Sequence, residues 1–420
     1  MLFSGAHGGR RPAERALIAL GVVALLTPQG TVSLRAQQPP RLTLHAALEL
    51  AARQNLDLAA ARRRRAVALA GVRIARQRPN PSLSFTALRD EPHEGVFVGQ
   101  PLEIGGKRRR RIDVARAQGG VTEVEIATLE RQVRRSTREA FYRAALAHAE
   151  TARLAEVLKL AQRLQQIAQQ RFEAGDVAQL EATQAGLEAA RAEADLEVAR
   201  QREKVSLSQF NALLNEPATT AWELRSTLED PLPPLTLSDL LQRADQLNPD
   251  LQHLAQEQKV EQSNRELLKA ERIPNLDLEL GTDFNAPRDF QVGPRSQMTV
   301  MLPLFTRNQG EIAQSLANQL VLESEATAAR RAVAGRVESS YFDFAAQQTQ
   351  VQLYRDKLVP VARQVENLAE ESYRAGKANI LSVIDAQRSV QDTERNYLES
   401  LFTLQSLFAE LEETVGGPLD

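Results

Sequence analysis

"RFEAGDVAQLEATQA" (Arg171–Ala185) and "SYRAGKANILSVIDAQ" (Ser372–Gln387) decide how this chain is read. Each sets an aromatic residue, one spacer and then Ala-Gly deep inside a long helical pattern, and each starts a second helical pattern directly afterwards. Glycine just past a helix end accepts the left-handed backbone that reverses the chain, so Gly175 and Gly376 read as the ends of two helices. Asp176 with Gln179 has the form of a capping box for the returning helix. Lys377 holds the Asp176 place in the second stretch and cannot cap, which leaves Asn379 for that role.

The duplication extends outward from these reversals. "LTLHAALELAARQNLDL" from Leu42 is answered by "LTLSDLLQRADQLNPDL" from Leu235, with Thr43 and Thr236 as N-caps. "RPNPSLSF" (Arg78–Phe85) is answered by "RIPNLDLEL" (Arg272–Leu280), and "QPLEIGG" (Gln100–Gly106) by "LPLFTRNQG" (Leu302–Gly310). A connector with four prolines, "NEPATTAWELRSTLEDPLPP" (Asn215–Pro234), separates the halves. The organisation is a first repeat at 37–214, a connector at 215–234 and a second repeat at 235–420.

Of 420 residues, 5% are aromatic and one is tryptophan, which suits long helices packed side by side better than thick globular cores. Cysteine is absent, so disulfides, thiolate metal sites and a lipid-bearing cysteine are excluded. Arg10, Arg11 and Arg15 precede the apolar run "ALIALGVVALL" (Ala16–Leu26), and a cut after Ala36 makes 1–36 a secretory signal peptide. Its loss removes four arginines and one glutamate, taking the formal charge from −2 to −5 and excluding a nucleic-acid partner.

Each repeat contains a change of period. In "SLSFTAL" (Ser82–Leu88) Leu83, Phe85 and Ala87 share one face, and in "NLDLELGTDF" (Asn275–Phe284) leucines alternate with Asp277 and Glu279. The return strands "VFVGQPL" (Val96–Leu102) and "QMTVMLPL" (Gln297–Leu304) complete hairpins at about 82–103 and 275–305. Alternation alone fits either a small sheet on a soluble core or part of a membrane β-barrel, apolar out and polar in. The helices decide between them. No proline interrupts Gly105–Phe172 or Gln309–Val359, and the first run would reach about 100 Å. Such a helix needs lateral neighbours of similar length. Val383, Val390, Tyr397, Leu404 and Leu411 recur every seventh residue, as do Leu154, Ala161 and Ala168, giving a coiled-coil seam.

A signal peptide, a tandem repeat, two hairpins and two long helices with tip reversals together resemble the TolC family of outer-membrane efflux channels. Within it "QPLEIGGKR" (Gln100–Arg108) is similar to the heavy-metal, CzcC-like branch. The resemblance implies a mainly α protomer of long coiled-coil helices with two β-hairpins, assembled as a homotrimer with a 12-stranded β-barrel in outer-membrane lipid. An α-helical barrel would continue it across the periplasm. It also implies a passive duct for substrates delivered by an inner-membrane RND-type transporter through a periplasmic adaptor protein.

Carried over residue by residue, the tips at 172–178 and 373–379 would meet the adaptor through Phe172, Gly175, Val177, Tyr373, Arg374, Gly376 and Lys377. Asp385, Glu181 and Leu381 would form the periplasmic constriction, where a carboxylate ring favours cations. Asp277 and Glu279 would face the barrel lumen. The basic runs "RRRR" (Arg62–Arg65) and "KRRRR" (Lys107–Arg111) read as solvated helix surface or as contacts to lipid phosphate. Histidines and methionines are few and scattered, and no triad, phosphate loop or paired-carboxylate cleft is present, so no catalytic, cofactor or metal residues are expected. Export of drugs or secreted protein stays open as an alternative cargo. A periplasmic adaptor or an envelope coiled-coil protein are the competing classes, and neither accounts for the doubled hairpins.

Overall fold

A computed structural model describes residues 40–89, 94–284 and 292–419. The expected signal peptide and the tips of both hairpin loops lie outside the described residues. The first half runs β1 (Arg41–Leu42), α1 (Leu44–Gln54), α2 (Leu56–Ala75), β2 (Ser82–Ala87), β3 (Glu94–Leu102), α3 (Lys107–Glu173) and α4 (Gln179–Leu213). After β4 (Glu223–Leu224) in the connector come α5 (Leu237–Leu247), α6 (Pro249–Glu271), β5 (Leu276–Phe284), β6 (Val292–Val300) and α7 (Gln309–Leu353). A π-helical turn (Tyr354–Leu358) leads into α8 (Val359–Arg374), and α9 (Ile380–Val415) completes the second half.

The repeated "Asn-x-Asp-Leu" sites explain how each half closes on itself. The Asn55 carboxamide oxygen accepts from Leu58 N (3.0 Å) to cap α2, while its Nδ2 donates to Leu213 O (3.1 Å) at the end of α4. Asn248 repeats this, accepting from Asp250 N (3.0 Å) to cap α6 and donating to Thr414 O (2.7 Å) in α9. One buried side chain thus satisfies orphan groups at two helix ends at once. Around these points lies the largest core, where Phe141, Phe210, Val337, Phe344, Leu404 and Phe408 meet. The connector is strapped across it. Trp222 donates to Asn211 Oδ1 (2.7 Å), and β4 pairs in parallel with β1.

Away from that core the helices meet along narrow seams. Val383, Val390, Leu404 and Leu411 are buried on α9, as are Ala161 and Ala168 on α3. Alanine at such positions lets helix axes approach closely. The long helices that run to the two tips differ in continuity. α3 is unbroken over 67 residues, whereas the second long helix widens into the π turn just before Pro360. Proline has no N–H for the helical ladder and crowds the carbonyl four residues earlier, and a π turn accommodates that misfit.

The four longer strands form one antiparallel sheet in the order β2-β3-β5-β6, so β2 and β6 are open edges. The second return strand departs from expectation. β6 starts at Val292, five residues before Gln297, and "MLPL" leaves the ladder after Val300. Pro303 cannot donate, and Leu304 N turns back to Leu302 O (2.9 Å), so residues 301–305 lie outside the ladder.

Candidate functional site

The cross-strand register assigns every sheet residue to a face. Ser84, Phe97, Gly281 and Arg295 stand opposite one another, and so do Ser82, Gly99, Glu279 and Gln297. Pro101, Asp277 and Thr299 extend the same row. This face is polar or small, apart from Phe97 and Pro101. Ser84 Oγ donates to Glu279 Oε1 (3.3 Å) across the bare Gly99. Phe97 lies under the Arg295 guanidinium, 5.3 Å from the ring centre, in space that only glycine leaves at 281. A Cβ there would stand 2.2 Å from Val96 O. The opposite face carries Leu83, Phe85, Val98, Leu280, Met298 and Val300, all exposed in the single chain. Asp277 and Glu279 therefore sit on the face turned away from the leucines.

At the far end both reversals are built alike. Asp176 N donates to Arg171 O (2.8 Å) and Gly175 N to Phe172 O (3.0 Å); Lys377 N to Ser372 O (2.9 Å) and Gly376 N to Tyr373 O (3.0 Å) repeat the pattern. Gly175 (φ +80°) and Gly376 (φ +71°) take the left-handed conformation that this motif requires. The starts of the returning helices differ. Asn379 Oδ1 accepts from Ser382 N (3.0 Å) and caps α9. Asp176 does not cap α4: the N-cap position falls on Ala178, with no side-chain cap. The turn's own 6→1 bond holds Asp176 two residues short of that place.

The residues grouped as tip contacts separate. Phe172 is 36% exposed, Arg374 pairs with Glu370 on the surface, Lys377 is exposed and Val177 half-buried. Tyr373 is only 1% exposed, so in this conformation its ring is not presented at the tip. It packs with Leu164, Ala168, Ala185, Ile380, Val383 and Ile384. Arg171 covers it from outside, with its guanidinium 5.0 Å from the ring centre and Nη1 donating to Tyr373 O (3.3 Å). Nothing in the sequence singled out Arg171; the exchange of Phe172 for Tyr373 between the copies was the available signal.

The constriction residues separate as well. Leu381 and Asp385 are one helical turn apart on the exposed face of α9. Glu181 is half-buried and turned toward Tyr373. Burial raises the Tyr373 hydroxyl above its ordinary range, and the nearby Glu181 charge adds to that shift. Neither that hydroxyl nor Glu181 Oε2 completes a hydrogen bond among the described residues. One turn-pair further along, Arg388 on α9 donates to Glu188 on α4 (2.7 Å), a tie between the two returning helices that the sequence did not reveal.

The family model "Outer membrane efflux protein" matches residues 47–216 and 240–417, one segment for each repeat. The chain belongs to this family. It is an outer-membrane efflux channel subunit, not an enzyme, and such channels span the outer membrane and extend into the periplasm. A relative named "Cobalt-zinc-cadmium resistance protein CzcC" from Cupriavidus metallidurans is 28% identical over 366 residues, covering 85% of this chain and 86% of its own. Among solved structures, CusC superposes with a TM-score of 0.73 at 16% identity, covering 89% of this chain and 92% of its own. VceC from Vibrio cholerae does so with a TM-score of 0.69 at 18% identity, covering 90% and 97%. No described helix is long and apolar enough to cross a membrane.

Proposed function

We propose that three copies close their sheets into one twelve-stranded barrel, with the polar face inward, to form an exit duct for divalent heavy-metal cations. The observation that carries this reading is the sheet itself. It is apolar on one face, polar on the other, and unpaired along both edges. In lipid an unpaired edge costs several kcal/mol per backbone group, so closure between chains is required. Two chains would give eight strands, whose interior is filled by side chains; three leave a pore.

In such a trimer Asp277 and Glu279 line the lumen and make it hospitable to cations. Leu381 and Asp385, on the open face of α9, supply the periplasmic constriction, with a ring of three carboxylates. Glu181 acts differently from Asp385: it belongs to the packed side, against Tyr373, and helps hold the tip closed. Phe172, Gly175, Val177, Arg374, Gly376 and Lys377 form the surface that a periplasmic adaptor meets. An inner-membrane RND-type transporter supplies energy and substrate choice. The metal cargo is supported by the relative named for cobalt, zinc and cadmium resistance and by the acidic polar face.

Deleting the gene in its host and measuring tolerance to zinc, cobalt, cadmium and organic toxins tests the cargo. Lost metal tolerance, restored by the intact gene, is the expected result. Lost tolerance to organic toxins alone would overturn the metal reading and leave the channel standing.

A further inference from the structure

We propose that the four strand–helix junctions form a collar that binds the phosphate groups of glycerophospholipids, with the backbone of residues 301–305 at the interface beside them and their apolar side chains reaching the acyl boundary. This rests on the reading that the apolar sheet face meets lipid.

All four junctions lie at one end of the sheet, and each carries arginine. Arg78 precedes β2, the run Lys107–Arg111 follows β3, Arg272 precedes β5 and Arg307 follows β6. Several of these side chains are held rather than free. Arg108 Nε donates to Arg76 O (2.7 Å), Arg272 Nε to Arg307 O (3.0 Å) and Arg307 Nε to Pro303 O (3.0 Å). In each case the bond uses the inner nitrogen and leaves the terminal fork without a hydrogen-bond or ion-pair partner among the described residues. A guanidinium fixed through Nε with its two terminal nitrogens open is prepared for a bidentate oxyanion. Arg78 and Arg109 are exposed and have no partner among the described residues. Of the carboxylates at the junctions, Glu103 is taken by Arg111, which holds it below the usual carboxylate range, and Glu271 accepts from Asn308 Nδ2 (3.5 Å).

The neighbouring surface identifies the anion. Met301 is 82% exposed and Phe305 91%, and Leu302 and Leu304 are exposed as well. This segment continues the apolar row of Met298 and Val300, which the proposed barrel turns toward lipid. Exposed Ile104 and Ile273 flank it at the other junctions. Passing from apolar strands through this loop to a band of arginines reproduces the order of acyl chain and phosphate at a bilayer boundary. The other basic run does not share this setting. Arg62 and Arg65 pair with Glu130 and Glu123 on α3, and Arg64 lies about 18 Å further along α2.

The test uses the full-length protein purified in mild detergent, titrated with short-chain phosphatidylglycerol and, separately, with inorganic phosphate. The collar variant Arg272→Gln/Arg307→Gln is compared with Arg63→Gln/Arg64→Gln, which removes the same charge from exposed positions away from the junctions. We expect the collar variant to bind the lipid about tenfold more weakly. The α2 variant should match the parent, and phosphate alone should not displace the lipid. Equal lipid binding by both variants, with trimer mass intact, would overturn the collar alone. Displacement by phosphate would reassign it as a site for the free ion. A parent protein that is monomeric and soluble would instead bring down the channel reading beneath it.

Discussion

Phe172 and Tyr373 hold the same place in the two repeats and have opposite surroundings. The tyrosine is clamped among α3, α4, α8 and α9 below Arg171, whereas the phenylalanine stands at the surface. Replacing Tyr373 by alanine should cost about 3–5 kcal/mol of local packing. The tip helices should then exchange amide hydrogens faster, while Phe172→Ala stays within about 0.5 kcal/mol of the parent. Equal protection in both variants would show that the tyrosine carries no such load. On α8, Glu366 has its carboxyl raised above the ordinary range, by burial first and then by Glu394 and Glu370. For an acid, a folded value above the unfolded one destabilises the folded state once pH passes the ordinary value near 4.3, and not below it. Glu366→Gln should therefore raise the unfolding temperature at pH 7 and leave it unchanged at pH 4; an equal rise at both would exclude this electrostatic origin. The pairing of Leu381 with Asp385 was legible in the sequence, because four residues make one helical turn. The turning of Glu181 toward Tyr373 was not, since it depends on how separate helices pack.

Helix ends show the same division between what spacing reveals and what packing adds. Three glycines with positive φ close helices: Gly175, Gly376 and Gly416. A Cβ at either tip glycine would meet nothing within 4 Å, so alanine there pays only the backbone cost, about 1–2 kcal/mol. At Gly416 the added carbon would stand 2.2 Å from Leu247 O, where the end of α9 meets the α5–α6 corner. Gly416→Ala should thus be clearly more destabilising than Gly175→Ala or Gly376→Ala in thermal unfolding; equal losses would contradict the close approach. The two tip reversals were readable from Ala-Gly alone. The missing cap at Asp176 was not, because a local motif and the turn's own hydrogen bonds compete for one residue. Nor was the π turn anticipated, although Pro360 marks the place where the second long helix departs from the first.

At the scale of the molecule, strand alternation, helix length and the tandem repeat carry most of the fold, and all three are one-dimensional patterns. The early start of β6 and the escape of residues 301–305 were hidden, because glycines and prolines blur the alternation there. Closure of the barrel lies between chains, so no pattern within one chain states it; open edges at β2 and β6 only demand it. The channel therefore depends on assembly. The measurement that tests it most directly is the detergent-corrected mass of the mature protein extracted mildly from outer-membrane fractions. A stable species of three protomers is the predicted result. A monomer recovered from the soluble periplasmic fraction would contradict the closed barrel, and with it the lumen, the carboxylate ring and the tip surface described above.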